Sequence, residues 1–190
     1  FWKFWYPKFQ IVFPENLRDY PMEEFHRSIN VVQPSFIRVD ADEVTYGLHI
    51  VLRFELEKMI IEDNLQASEL PELWNTKMEE LLGITPPNDA LGVLQDVHWT
   101  SGFGYFPSYA LGNLYAAQIY NYALKQNPCL PQDYEKGEFS NLLNYLKENI
   151  HQYGLIYRAP DLIKRINGED LNPDYFIKYV ETKYYPIYGI

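Results

Sequence analysis

From Asp40 to about Asp63 the chain reads DADEVTYGLHIVLRFELEKMIIED, with Val44, Leu48, Val51, Leu52, Leu56, Met59 and Ile60 at helical spacing. This pattern predicts a long amphipathic helix. Residues 1–13 read as the end of another amphipathic helix, stopped by Pro14, and a short helix fits Met22 to Ile29 after Pro21. Pro34 imposes an extended entry into the next segment. SELPELWNTKMEELLG predicts a helix capped by Ser68, with Pro71 in its first turn and Gly83 closing it. Pro86, Pro87, Asn88 and Gly92 mark a loop, and helix resumes near Tyr105 or Pro107 and runs to Asn127-Pro128. GEFSNLLNYLKENIHQYG gives another helix stopped by Gly154; Pro160 opens a short one that Gly168 ends, and Asn172-Pro173 caps the last. Strand patterns, internal repeats, low-complexity tracts and a clear linker are missing from the sequence, so the pattern predicts a single all-α unit over residues 1–190.

Composition sharpens this picture. A chain of 190 residues with 47% hydrophobic content can bury a real core and argues against disorder. No run of about 18 apolar residues occurs and no signal-peptide order is visible at the start, which predicts a soluble, cytoplasmic protein. The single cysteine, Cys129, leaves no internal disulfide framework and no cysteine zinc cluster. A formal charge of −10, without a Lys/Arg cluster to override it, disfavours nucleic acid and anionic membrane as partners. The chain opens on FWKFWYPKFQIVF without a methionine, in mid-helix, which predicts a piece of a longer protein with rings such as Phe1, Trp2, Phe4 and Trp5 left exposed.

Two stretches carry candidate chemistry. On the long helix Asp42, Tyr46, His49 and Arg53 fall at i, i+4, i+7 and i+11, one polar line opposite the apolar stripe. A solvated face explains such a line; a groove lining explains better why Tyr and His stand where Lys and Glu would serve. Arg38, just ahead of the helix, is suited to holding a carboxylate in a two-pronged pair. The second stretch, GVLQDVHWTSGFGYFPSYALGN, combines Gln95, Asp96 and His98 with Tyr105 and Tyr109. Asp96 and His98 are open to three readings: joint metal ligands, a carboxylate orienting an imidazole, or a satisfied structural pair. Gly102 and Gly104 allow positive φ and a tight fold beside a ligand. Tyr105 and Tyr109, one helical turn apart, can aim their hydroxyls into one space, and phenols beside an imidazole suit oxyanion stabilisation. The four histidines form no HExxH and no tight pair, and neither Ser101 nor Ser108 sits in a nucleophile elbow.

Two segments together carry a family resemblance. IRVDAD, from Ile37 to Asp42, matches IRxxAD, and GVLQDVHW, from Gly92 to Trp99, matches GxxQDxHW. Both patterns are similar to signatures of the thermostable (Taq-type) zinc carboxypeptidases, metallopeptidase family 32. The flanking DEVTYGLHIVLRFELE, GYFPSYALGN and YYPIYGI resemble the family too, so the resemblance covers essentially the whole chain.

The resemblance implies a two-lobed, mostly helical zincin-like enzyme with a deep groove, usually a homodimer, that removes single residues from peptide C-termini with broad specificity. It also implies that this chain is the C-terminal part, roughly the last two fifths. The HExxH helix, the HESQ-type segment with the third zinc ligand, and the HPF and DxRxT motifs are then expected ahead of Phe1. Zinc belongs to the full-length enzyme, and neither a metal ligand nor activity is expected in this chain alone. The implied roles are a substrate-carboxylate contact for Arg38 and oxyanion stabilisation by His98 with Tyr105 or Tyr109. Substrate or supporting contacts fall to Asp42, Tyr46, His49, Gln95 and Asp96. The alternative is a truncated, non-catalytic helical domain that binds peptides or a protein partner through the same groove.

Overall fold

A computed structural model describes residues 1–190 apart from the side chain of Ser101. Among the described residues the regular structure is helical and no strand occurs, as the periodicity predicts. The α-helices are α1 (Trp2–Val12), α2 (Pro14–Leu17), α3 (Met22–Ser28), α4 (Tyr46–Glu62), α5 (Leu70–Leu82), α6 (His98–Ser101), α7 (Pro107–Gln126), α8 (Leu130–Lys136), α9 (Ser140–Asn149), α10 (Ala159–Asn167) and α11 (Asp174–Tyr188). Short 3-10 turns cover Arg38–Asp40, Val93–Gln95 and His151–Tyr153. Among the described residues no helix is long and apolar enough to cross a membrane.

The contacts gather into two compact units, Val31–Gly112 and Phe1–Asn30 with Asn113–Ile190. The sequence predicts one unit because nothing in its composition marks these boundaries; the second falls inside α7.

Several elements differ from the sequence expectation for identifiable reasons. Pro14 does more than stop α1: it occupies the first position of the one-turn α2, where its missing N–H costs nothing. α4 starts at Tyr46 rather than Asp40. Asp42 precedes it by one turn, accepting the Tyr46 N–H on its carbonyl at 2.9 Å and the Val44 and Thr45 N–H groups on Oδ1 at 2.8 and 2.9 Å. Ser68 is not the cap of α5, whose N-terminal flank is Glu69; Pro71 and Gly83 do act as expected, Gly83 with φ of 68°. The seven-residue α8 escapes the pattern because Pro128 and Pro131 crowd its start, and Gly137, at φ 75°, ends it. α9 ends five residues before Gly154, which a 3-10 turn precedes.

In the Val31–Gly112 unit, α4 packs on α5 through Leu52, Leu56, Trp74, Met78 and Leu82, joined by Val93 of the Val93–Gln95 turn. Each such side chain, fully buried, contributes about 1.5–3 kcal/mol. In the other unit Ala123, Leu130 and Tyr145 form the buried centre, flanked by Ile119, Leu124 and Leu142. There Gly137 meets α1 so closely that a Cβ would lie 2.3 Å from Phe4 Cε1, so both the positive φ and the approach require glycine. At the start of the chain Phe1 is 52% exposed. Trp2, Phe4 and Trp5 are half-buried, Trp2 lying edge-on to Phe9 and Phe25.

Candidate functional site

The polar line of α4 points inward. His49, Arg53 and Glu57 are buried and Tyr46 is half-buried, so the line lies in the interior of its unit and not on a solvated face. What faces it is the 95–109 segment, which has little regular structure of its own beyond the four-residue α6 and the start of α7.

Asp96 is the centre. Its Oδ2 accepts from Arg38 Nε at 2.9 Å and from Arg53 Nε at 2.8 Å, while Oδ1 receives the His98 backbone N–H at 3.2 Å and lies 2.5 Å from His98 Nδ1. Burial alone would raise this carboxyl; the hydrogen bonds from Arg38 and His98 and the charge of Arg53 outweigh it and hold Asp96 well below the usual carboxylate range. Two guanidiniums and one carboxylate leave the trio with a net charge of +1. Gln95 ties the segment down alongside: its Oε1 accepts from Arg38 N at 3.1 Å and Arg53 Nη2 at 3.2 Å, and its Nε2 donates to the carbonyls of Phe36 at 2.7 Å and Leu91 at 3.0 Å.

Arg53 completes its shell by donating from Nη1 to the His49 carbonyl at 2.8 Å, with its guanidinium carbon 4.7 Å from the Trp74 ring centroid. Burial lowers its pKa to about 10, against the opposing pull of Asp96, so it stays a cation at neutral pH. Arg38 donates from Nη1 to the Tyr46 hydroxyl at 3.3 Å and lies 4.9 Å from the Tyr109 ring. Beside it opens a cavity of about 200 Å³ lined by Ile37, Arg38, Val39, Gln95, Asp96 and Val97.

His98 links this cluster to the tyrosines. Its Nε2 is 3.0 Å from the Tyr109 hydroxyl, and its ring stacks on Tyr105 with centroids 5.7 Å apart and planes 13° from parallel. A carboxylate at Nδ1 fixes the proton there, so the neutral ring accepts from Tyr109 at Nε2, whereas the imidazolium donates to it. Tyr105 is 57% exposed and its hydroxyl takes no part in these hydrogen bonds. Phe106, fully buried, packs on His98 at 4.9 Å and on Trp99 at 5.6 Å.

Arg38, Tyr46, Gln95, Asp96, His98, Tyr105 and Tyr109 therefore come together. His49 and Asp42 do otherwise. His49 is fully buried beneath Arg53, and neither ring nitrogen has a hydrogen-bond partner among the described residues; burial, then the charges of Arg53 and Arg38, lower its pKa to about 4. Asp42 spends Oδ2 on Gln33 N at 3.0 Å and Thr45 Oγ1 at 2.8 Å in addition to its Oδ1 bonds. Burial opposes its charge, yet the donors from Thr45, Gln33 and Val44 hold its pKa below the ordinary value. Ser108 donates to the Tyr105 carbonyl at 2.6 Å; the side chain of Ser101 lies outside the described residues.

The sequence reading leaves Arg53 without a role of its own and passes over Glu57. The available signal is the line itself, since 42, 46, 49 and 53 continue at i+4 to Glu57.

Comparison with known proteins covers the chain as a whole. The chain is 47% identical over 189 residues to carboxypeptidase 1 of Bacillus subtilis (strain 168), covering 99% of this chain and 38% of that protein. It is 43% identical over 190 residues to thermostable carboxypeptidase 1 of Thermus thermophilus, covering 100% and 37%. The crystal structure of the M32 carboxypeptidase from Deinococcus radiodurans R1 superimposes with a TM-score of 0.96 at 38% identity, over 100% of this chain and 38% of that one. The chain thus spans little more than a third of the length of the curated relatives it matches. The family model for the carboxypeptidase Taq (M32) metallopeptidases matches residues 1–184, and the chain belongs to that family.

Proposed function

We propose that this chain forms one wall of the substrate groove of a longer, zinc-dependent metallocarboxypeptidase that removes single residues from peptide C-termini with broad specificity. The observation that carries this reading is the connected set Arg38–Asp96–His98–Tyr109, in which one buried carboxylate orients both a guanidinium and an imidazole. In this reading Arg38, which lines the cavity and is part of a cluster of net positive charge, receives the substrate carboxylate. His98, as the imidazolium that Asp96 holds at Nδ1, and the phenols of Tyr105 or Tyr109 donate to the oxygen on which charge develops as the scissile carbonyl is attacked.

Among the described residues no group of three or more His, Cys, Asp and Glu side chains could hold a metal ion. In this reading the metal ligands belong to the remainder of the protein. The remainder of the protein, a cytoplasmic location and a homodimer complete the proposal.

His98→Ala in the full-length, metal-loaded enzyme tests it. Turnover is expected to fall by about 10²- to 10³-fold with KM little changed, the pattern of an interaction made only in the transition state. Unchanged kinetics would overturn the role.

A further inference from the structure

Glu57 is the one buried carboxylate of α4 that neither the polar cluster around Asp96 nor the helix start explains. It lies one turn beyond Arg53, is almost fully buried, and its Oε1 accepts the backbone N–H of Gly104 at 3.1 Å. Gly104, at φ 86°, and Gly102, at φ 126°, fold the loop that joins α6 to α7. The amide that Glu57 takes is thus that of a residue no L side chain readily replaces, immediately ahead of Tyr105. Oε2 of Glu57 is buried without a hydrogen-bond partner among the described residues, a desolvation cost that a helix stabilised only by packing would avoid with an apolar residue.

α4 therefore grips the 95–106 segment at two points four residues apart. Arg53 holds Asp96, and through it His98; Glu57 holds Gly104, and through it Tyr105 and the buried Phe106. His98, two residues past the first point, and Tyr105, one residue past the second, stack on one another, and a short helix and a glycine loop have no internal hydrogen-bond ladder able to fix that stack. We propose that Glu57 is a positioning residue for the oxyanion donors: its hydrogen bond to Gly104 sets the loop geometry that holds Tyr105 against His98. This inference rests on the carboxypeptidase reading given above. Glu57 touches no reacting atom; it acts through the backbone of Gly104. Burial raises the Glu57 carboxyl, partly offset by the Gly104 N–H and then by the charge of His98. The amide donor is satisfied by a carboxylate or by a neutral acceptor alike.

The test uses the full-length, metal-loaded enzyme with Glu57→Ala, Glu57→Gln and His98→Ala compared side by side. Glu57→Ala is expected to lower kcat by about 10- to 10²-fold at unchanged KM, the scale of a displacement of about 1 Å in a donor. Faster hydrogen exchange at the Gly104 amide should accompany it. Glu57→Gln keeps a side-chain oxygen for that amide and is expected to restore kcat to within about 3-fold of wild type. Full turnover in Glu57→Ala, while His98→Ala is impaired, overturns the assignment of Glu57 alone. A parallel fall in kcat for Ala and Gln, with Gly104 still protected, overturns it too. Full turnover in His98→Ala overturns the reading beneath it.

Discussion

Arg53 and Asp96 form an ion pair closed off from solvent: Nε donates to Oδ2 across 2.8 Å, with the side chains 0% and 4% exposed. The same oxygen serves Arg38, so a single carboxylate neutralises part of two guanidiniums. Asp96→Asn leaves both cations without a charged partner and is expected to cost about 3 kcal/mol of unfolding free energy, read from the urea midpoint at pH 7. The acid limb should change as well. Because the folded carboxyl is depressed below its unfolded value near 3.9, its contribution is fully present above that value and is lost as pH falls below it. The Asn variant lacks this loss, so the stability gap between the two proteins should begin to narrow as pH falls below about 4 and go on narrowing at lower pH.

The two tyrosines are separable. The Tyr109 hydroxyl is engaged by His98, whereas Tyr105 is exposed and stacks its ring on His98. Tyr105→Phe is expected to reduce kcat by about 10²-fold, and Tyr109→Phe by less than about 10-fold, with a small effect on KM in both. Steady-state kinetics on one peptide ranks them; the reverse order would assign the donor to Tyr109.

Arg38 divides its donors between Asp96 and Tyr46 while bordering the cavity. Arg38→Ala should raise KM at least about 10-fold for peptides ending in a free carboxylate, the low end for losing a charge-assisted contact. Amidated peptides, where they are cleaved at all, should be little affected. Equal losses on both substrates would remove Arg38 from carboxylate recognition.

How much of this was legible in the sequence depends on what each feature rests on. Helices long enough to show several turns of apolar spacing, such as α4, α5 and α7, are readable, and so are the glycines that close α5 and α10. The start of α4 is less so: the apolar pattern begins at Val44, but the turn there is held by Asp42 side-chain bonds that a periodicity does not encode. The four-residue α2 and α6 are too short for the pattern to register, and the prolines at its start hide α8. At the site, residues inside the two motifs were identifiable. The spacing reaches Glu57, but its role was not legible, because its partner is a backbone amide 47 residues away and the inward turn of the polar line depends on tertiary packing.

His49 gives a second pH signature, of opposite charge type. Its folded pKa is about 4, against 6.5 for the ordinary imidazole, so the folded protein keeps it neutral while the unfolded chain takes up a proton. Stability is complete above pH 6.5 and falls as pH drops from there toward 4, by about 2–3 kcal/mol between pH 7.5 and 4.5. Chemical denaturation at those two pH values, wild type against His49→Gln, reads the difference; an equal slope in both would exclude His49 as its source.

The indoles of Trp74 and Trp99 lie 6.1 Å apart at 73°, one in the core beneath Arg53 and the other on the segment that carries His98. Trp99 is further pinned by donating from Nε1 to the Val93 carbonyl at 2.9 Å. Chromophores this close and this fixed couple optically, so the near-ultraviolet circular dichroism band of the pair reports the seating of the segment against α5. A ligand that shifts the His98 segment would announce itself in that band without any label, and one that binds to a preset segment would leave it unchanged.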